Sequence, residues 1–92
     1  MATMIVCKRV CYMGRVQGVG FRYMAQALAA EHAVAGTVRN LDNGDVELLV
    51  EGEGDQVTAF LRAVADHMGR YIQRTTIHDA APSGEQDFRI LR

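Results

Sequence analysis

The residues of this chain that are best suited to chemistry form one segment, Gly14-Arg15-Val16-Gln17-Gly18-Val19-Gly20-Phe21-Arg22. Its three glycines let the backbone approach a ligand closely and adopt positive φ. A helix is predicted to begin directly behind them, and the first N–H groups of a helix are unpaired and lie at the positive end of its dipole. Arg22 adds a guanidinium that can bind two anion oxygens at once. The segment therefore predicts a cradle for a phosphate or a carboxylate, built from Arg22 and the backbone N–H groups from Gln17 to Arg22.

Two commoner phosphate-binding loops do not fit the residues that follow these glycines. A P-loop needs Gly-Lys followed by Ser or Thr, whereas Gly20 is followed by Phe21-Arg22. A dinucleotide-binding loop needs a third small residue where Tyr23 stands, and an acidic residue about twenty positions further on. Asp42 lies near that distance, but in a predicted turn. On these residues alone, a plain turn from strand to helix with an exposed arginine remains the alternative.

A second motif, Gly36-Thr37-Val38-Arg39-Asn40, ends eighteen residues past Arg22, and the acidic and apolar run Gly44-Asp45-Val46-Glu47 follows it. Together with the first segment, these stretches resemble the acylphosphatase family, and the resemblance covers about residues 5 to 91. It implies hydrolysis of the carboxyl–phosphate bond of acyl phosphates. It also implies that the arginine ending the first motif, Arg22, binds the phosphate, and that the asparagine ending the second, Asn40, positions the attacking water.

Length and composition are typical of one small globular domain. The chain has 92 residues, of which 49% are hydrophobic and 23% charged, so we expect a single domain over residues 1–92. A net charge of −1 argues against nucleic-acid binding, which normally needs a basic face. No apolar run approaches the roughly 20 residues of a membrane helix, and residues 1–9 lack the order of a signal peptide. We therefore expect a cytoplasmic monomer with a small-molecule substrate.

Apolar periodicity predicts the order strand, helix, strand, strand, helix, strand, strand. Strands are expected at 6–13, 34–41, 45–50, 74–79 and 88–91, with Asn43-Gly44 as a hairpin signal between the second and third. The first helix carries an apolar stripe from Phe21 to His32. The second has its apolar positions at 57–68, with Asp55 as its predicted N-cap and Gly69 at its end.

This order predicts a ferredoxin-like βαββαβ sandwich of the α+β class: an antiparallel sheet, two helices on one face, and a short fifth strand at the C-terminus. The first and second strands are expected to run parallel, joined by a right-handed crossover through the first helix. Their C-terminal ends then lie at the same edge of the sheet. Because Arg22 follows one of these ends and Asn40 closes the other, we expect the two side chains to converge.

The residue types at this site suit an acyl phosphate. Its carboxylate leaving group is stable at neutral pH, so no general acid is needed, and its loose transition state needs fixed donors such as Arg22 and the loop N–H groups. A carboxamide such as that of Asn40 can hold one water in line without removing a proton. The loop has no Cys or Asp nucleophile, no carboxylate set for Mg²⁺ is evident, and the three histidines are scattered. We therefore expect direct hydrolysis without a metal or cofactor.

Two alternatives of another class stay open. Ferredoxin-like sandwiches also serve as anion-binding or regulatory modules without catalysis. An acylphosphatase-like domain can also be one part of a carbamoyl-transfer system. That the chain ends at Arg92 favours the freestanding hydrolase. Tyr23 is open in the same way, since it could line the mouth of the site or be an ordinary exposed helix residue.

Overall fold

The computed structural model describes residues 4–92, which form five strands and two helices. In chain order they are β1 (Ile5–Gly14), α1 (Phe21–Ala30), β2 (Ala35–Asn40), β3 (Val46–Glu53), α2 (Gly54–Met68), β4 (Ile72–Asp79) and β5 (Phe88–Ile90). A 3₁₀ turn, Gly69–Tyr71, joins α2 to β4. The predicted order of elements is confirmed, and the strand boundaries differ from the expected ones by a few residues.

The sheet has the strand order β4-β1-β3-β2-β5. β1 pairs antiparallel with both β3 and β4, and β2 pairs antiparallel with β3. Because β1 and β2 both oppose the strand between them, they run in the same direction, as the crossover rule predicts. β5, whose place was open from the sequence, pairs parallel with β2 from Gly36↔Phe88 to Val38↔Ile90, which makes the sheet mixed at that edge. The ferredoxin-like α+β sandwich is confirmed.

The core lies between one face of the sheet and the apolar stripes of the helices. In β3, Val46, Leu48 and Val50 are fully buried, as the period-2 alternation of this strand predicts. Phe60 of α2 is also fully buried and packs against the ring of Phe88, with the centroids 5.6 Å apart. The other members of the buried cluster come from β1, the loop after it, both helices and β2: Val10, Tyr12, Val16, Phe21, Ala25, Leu28, Ala29, Val38, Val57, Val64 and Met68.

The end of α1 and the N-cap of α2 differ from prediction, whereas α2 ends at its C-cap Gly69 as predicted. α1 ends at Ala30, so His32 lies beyond it, because the chain turns through Ala33 at φ 48°, a conformation no helix can continue. The His32 ring still lies 6.3 Å from that of Phe60. Asp55 is not the N-cap of α2, and that prediction was wrong. β3 passes directly into α2 at Glu53, which makes no side-chain cap hydrogen bond, and Asp55 lies in the first turn, where its charge suits the helix dipole.

A buried carboxylate anchors the segment that carries the chain from β4 to β5. Glu51 is 6% exposed and lies on the sheet face away from the helices, since its neighbour Val50 faces the core. It accepts hydrogen bonds from the Ser83 hydroxyl at 2.8 Å and from the N–H groups of Glu85 at 3.0 Å and Gly84 at 3.4 Å. Burial acts to raise the pKa of Glu51, but these hydrogen bonds outweigh it and lower the pKa below its ordinary value.

The Glu51 contact predicts a pH-dependent contribution to stability. A lowered folded-state pKa stabilises the fold above the ordinary Glu value, and this stabilisation is lost as the pH falls through the folded-state pKa. We expect Glu51→Gln to reduce the free energy of unfolding by about 1–3 kcal/mol at pH 7, the scale of hydrogen bonds to a charged group. Below about pH 4 the difference in unfolding free energy between Glu51→Gln and the wild type should close. Urea unfolding at pH values from 7 to below 4 measures this difference, with Glu53→Gln at an exposed position as control. A difference independent of pH would contradict the role assigned to the Glu51 carboxylate.

Candidate active site

The site begins where β1 ends, at Gly14. This glycine has φ 134°, and a Cβ there would lie 2.5 Å from the carbonyl oxygen of Tyr71. The next residue, Arg15, donates its N–H to the same carbonyl at 2.9 Å. The chain at Gly14 thus packs closely against the 3₁₀ turn before β4. This close approach requires a glycine and directs the following loop away from the sheet.

In the loop, residues 15–20, apolar side chains point inward and glycines lie outside. Val16 is fully buried and Val19 packs against the core, whereas Gly18 and Gly20 are exposed. Both glycines have positive φ, 77° and 81°, and open space lies where a Cβ would be. The valines therefore anchor the loop, and the glycines turn its backbone towards solvent in a left-handed conformation that other residues adopt only at a cost of about 1–2 kcal/mol.

The N-terminus of α1 offers unpaired donors. Gly20 is its N-cap, no side chain caps the helix, and its first turn contains no acidic residue. Within the described residues 4–92, no backbone N–H from Gln17 to Tyr23 donates to a backbone carbonyl. The start of the helix is held in place because the ring of Phe21 packs on that of Tyr12 in β1, with the centroids 4.9 Å apart. An acceptor from outside the protein would satisfy these N–H groups.

A cavity of about 190 Å³ opens at this point, far larger than one water needs. Five of the predicted site residues line it: Gly18, Gly20, Phe21, Arg22 and Asn40. Two of the predicted residues, Gln17 and Val19, are not on its wall. Val16 also lines the cavity, although the motif did not predict it as a site residue. Its position as the first apolar residue of the loop could have indicated this. Tyr23, left open above, lies on the wall and is 69% exposed.

Arg22 and Asn40 provide the polar side chains on the cavity wall that can interact with a bound anion. The three ion pairs within residues 4–92 join Lys8 to Asp79, Arg39 to Glu47 and Arg89 to Glu85, so no carboxylate of the described chain neutralises Arg22.

Asn40 is the last residue of β2, and its pairing with Val46 of β3 fixes its backbone. A positive guanidinium and a neutral carboxamide therefore face one cavity from two elements.

The Gln17 side chain makes a contact that the sequence did not predict. Its Nε2 donates hydrogen bonds to the carbonyl oxygens of Leu41 at 2.8 Å and Asp45 at 2.9 Å. These residues begin and end the turn between β2 and β3, directly after Asn40. The side chain of Gln17 is therefore engaged by the turn, and its backbone N–H remains among the loop donors.

The thiols and carboxylates of the chain lie off the cavity wall. Burial, and then the charge of Glu51, raise the pKa of the Cys7 thiol; burial, and then Asp45, raise that of Cys11, whose Sγ lies 3.7 Å from the Asp45 carboxylate. Such thiols stay protonated and are weak nucleophiles. Among residues 4–92, no group of three His, Cys, Asp or Glu side chains is placed to hold a metal ion. The helices of this part of the chain are also too short or too polar to cross a membrane.

A wider depression, about 450 Å³, lies at the other end of the sheet and is less suited to an anion. Its lining includes the carboxylates of Glu51 and Glu85 and contains no cationic side chain. Negative charge in a partly desolvated site repels a phosphate. The cavity beside Arg22 has the opposite character, and its donors can bind a tetrahedral anion and orient a water next to it.

Comparisons with known proteins identify the family of the chain. The family model described as Acylphosphatase matches residues 8–90. An acylphosphatase of Methanothrix thermoacetophila is 37% identical over 89 residues, covering 96% of this chain and 99% of that protein. An acylphosphatase of Bacillus pumilus is 57% identical over 51 residues, a stretch that spans 55% of this chain and only 57% of that relative.

Among solved structures, the crystal structure of acylphosphatase from Bacillus subtilis superposes with a TM-score of 0.86 at 33% identity, covering 97% of this chain and all of that one. Both the sequence match over residues 8–90 and this superposition extend over nearly the whole chain. The chain belongs to the acylphosphatase family.

Proposed function

We propose that this chain hydrolyses the carboxyl–phosphate bond of acyl phosphates to a carboxylate and inorganic phosphate, with Arg22 and Asn40 as its catalytic residues and without a metal or cofactor. The observation that carries the proposal is the cavity on which Arg22, the uncapped N-terminus of α1 and Asn40 converge. We further propose that a single domain over residues 1–92 is sufficient for the reaction, since all these groups belong to one chain.

In the proposed complex, the phosphoryl group lies in the loop. The N–H groups from Gln17 to Arg22 and the fork of Arg22 bind its oxygens. The N–H groups are already held in place, because Val16 is buried and the Phe21 ring packs on Tyr12. Because negative charge spreads over the equatorial oxygens of a loose transition state, donors that need no reorganisation stabilise it more than they stabilise the ground state. This is the larger part of the expected rate enhancement.

Asn40 is proposed to hold the attacking water in line with the scissile P–O bond. Its carboxamide can accept from the water and donate to it or to a phosphoryl oxygen, but it cannot remove a proton. Among residues 4–92, no carboxylate or imidazole lines the cavity to act as a strong base or acid. Such a site suits an anhydride, whose carboxylate leaves without a proton, and is poorly suited to a phosphate ester, whose alkoxide needs one.

Cytoplasmic location and a monomeric state are part of the proposal. Cys7 and Cys11 are free thiols, in keeping with a reducing compartment. The residues proposed to act on the substrate all belong to one chain, in keeping with a monomer.

Turnover of benzoyl phosphate in EDTA tests the reaction, and Arg22→Ala tests the residue. We expect wild-type turnover to persist in EDTA and Arg22→Ala to lose roughly 10³–10⁵ in kcat/KM, the scale of an arginine that stabilises phosphoryl transfer. Arg22→Lys should recover little, because a point charge cannot replace the planar fork. Arg89→Ala is the matched control, because it removes an arginine of β5 that pairs with Glu85. Phosphate binding without turnover would instead indicate a non-catalytic anion-binding module.

Inorganic phosphate, the product, should inhibit competitively and bind in the same cavity. In an NMR titration we expect the amide signals of residues 17–23 to shift with one saturation curve, because these N–H groups have no backbone acceptor among residues 4–92. Arg22→Ala should weaken this binding, whereas Arg89→Ala should not. Noncompetitive inhibition, or saturable shifts confined to another part of the sheet, would count against the cradle.

Asn40 variants separate water positioning from general-base catalysis. Asn40→Ala should lower kcat by roughly 10²–10³, as for one preorganised polar group, with KM and phosphate inhibition nearly unchanged. Asn40→Asp should also be poor, because a negative charge beside the phosphate repels it and the amide donor is lost. If Asn40→Asp is instead as active as the wild type, with a rate that rises through a carboxyl pKa, the positioning role is refuted and a base is present.

A further inference from the structure

Gln17 makes a tertiary contact that the proposed chemistry does not use. A glutamine amide has two N–H hydrogens, and both of those on Gln17 are engaged: one by the Leu41 carbonyl and one by the Asp45 carbonyl. The two acceptors lie 24 and 28 residues away along the chain. Within residues 4–92, these two bonds are the hydrogen bonds that join loop 15–20 to the turn at 41–45.

The two carbonyls that Gln17 binds are those that close the turn. The Leu41 oxygen also accepts the Gly44 N–H at 3.1 Å, and the Asp45 oxygen also accepts the Leu41 N–H at 2.8 Å. A carbonyl has two lone pairs, so each of these oxygens uses one within the turn and one for Gln17. The amide therefore fits a turn that is already formed, and it would lose both bonds if the turn changed shape.

The contact lies between the two halves of the candidate site. Gln17 directly precedes Gly18, the first glycine on the cavity wall, and Leu41 directly follows Asn40. The far side of the turn is held separately, because Asn43 accepts the Asp45 N–H at 3.0 Å and donates to the Asp45 carboxylate at 3.2 Å. The loop that carries the anion donors is thus tied to a rigid turn whose first residue is joined to Asn40.

We infer that Gln17 is a positioning residue, which holds Asn40 in register with the phosphate loop so that the water and the phosphoryl group are aligned. This inference rests on the proposed function. In-line attack depends steeply on geometry, and a misplacement of about 1 Å can cost on the order of 10²-fold in rate. Binding of the phosphoryl group is assigned chiefly to the backbone N–H groups of the loop and to the Arg22 fork. Gln17 therefore acts on kcat rather than on affinity.

Gln17→Met tests this role, since methionine has a similar length and volume and no donor. We expect kcat for benzoyl phosphate to fall roughly 10- to 100-fold, with KM and the inhibition constant of phosphate changed by less than about twofold. Gln26→Met is the matched control, because Gln26 also donates its amide to a distant carbonyl, that of Phe88 at 3.2 Å, but away from the cavity. Equal losses of kcat in the two variants, or a raised KM with kcat unchanged, would overturn the inference.

A double-mutant cycle with Asn40→Ala separates positioning from general loosening of the fold. If Gln17 acts through Asn40, Gln17→Met should reduce kcat little further once Asn40 has been truncated. A structural defect of the loop would lower kcat by the same factor in both backgrounds, and that additive result would refute the inference.

A measurement without turnover distinguishes failure of this inference from failure of the proposed function. In the free protein, Gln17→Met should shift the side-chain amide signals of Asn40 and the backbone signal of Gly44, and Gln26→Met should shift neither. Unchanged Asn40 signals in Gln17→Met would refute the coupling whatever the activity. If the signals shift but the wild type fails to hydrolyse benzoyl phosphate, the proposed function is refuted and the Gln17 contact stands as a link between loop and turn.

Discussion

The central position of β3 is the constraint on which the rest of the structure depends. Because β1 and β2 both pair antiparallel with β3, they run in the same direction and end at the same edge of the sheet. The glycine loop therefore starts at the same end of the sheet as Asn40, with β3 between the two strands, although α1 separates the two in sequence. The buried face of β3, with Val46, Leu48 and Val50, sets its register, since a slip of one residue would turn these side chains to solvent.

The two ends of the sheet differ in their polar groups, and each has its own hydrogen-bonding arrangement. At the end where β1 and β2 finish, N–H groups and the Arg22 guanidinium have no acceptor among the described residues 4–92. At the other end, the Glu51 carboxylate is saturated by donors from the segment before β5. Donors left free are costly to stability unless water or a ligand pairs them, whereas a saturated carboxylate stabilises. The chain thus stabilises one end of the sheet and leaves the other open to an anion.

Rigidity at the candidate site comes from packing beneath it. Val16 is fully buried, and the Phe21 ring lies on Tyr12 of β1, so the loop is supported although its glycines are exposed. The Gln17 amide adds a lateral tie to the turn after Asn40. An anion that entered would meet donors already in place, and it would not have to order the loop. That preorganisation is what an electrostatically stabilised transition state requires.

The sequence by itself determined the elements, the fold class and the family, because those depend on local periodicity, turn residues and two motifs at a set spacing. It also placed Arg22 and Asn40 at strand ends on the same edge of the sheet, since handedness and the antiparallel rule leave few topologies for this order of elements.

Only the tertiary structure decided where Gln17 donates, that β5 pairs parallel with β2, that Asp55 is not a cap, and that Glu51 is buried rather than solvated. Each of these depends on contacts between residues distant along the chain, or on how two elements join without a loop. Local pattern contains no information on such contacts, so the motif predicts a backbone N–H donor at Gln17 but does not predict that its side-chain amide binds two carbonyls across the site.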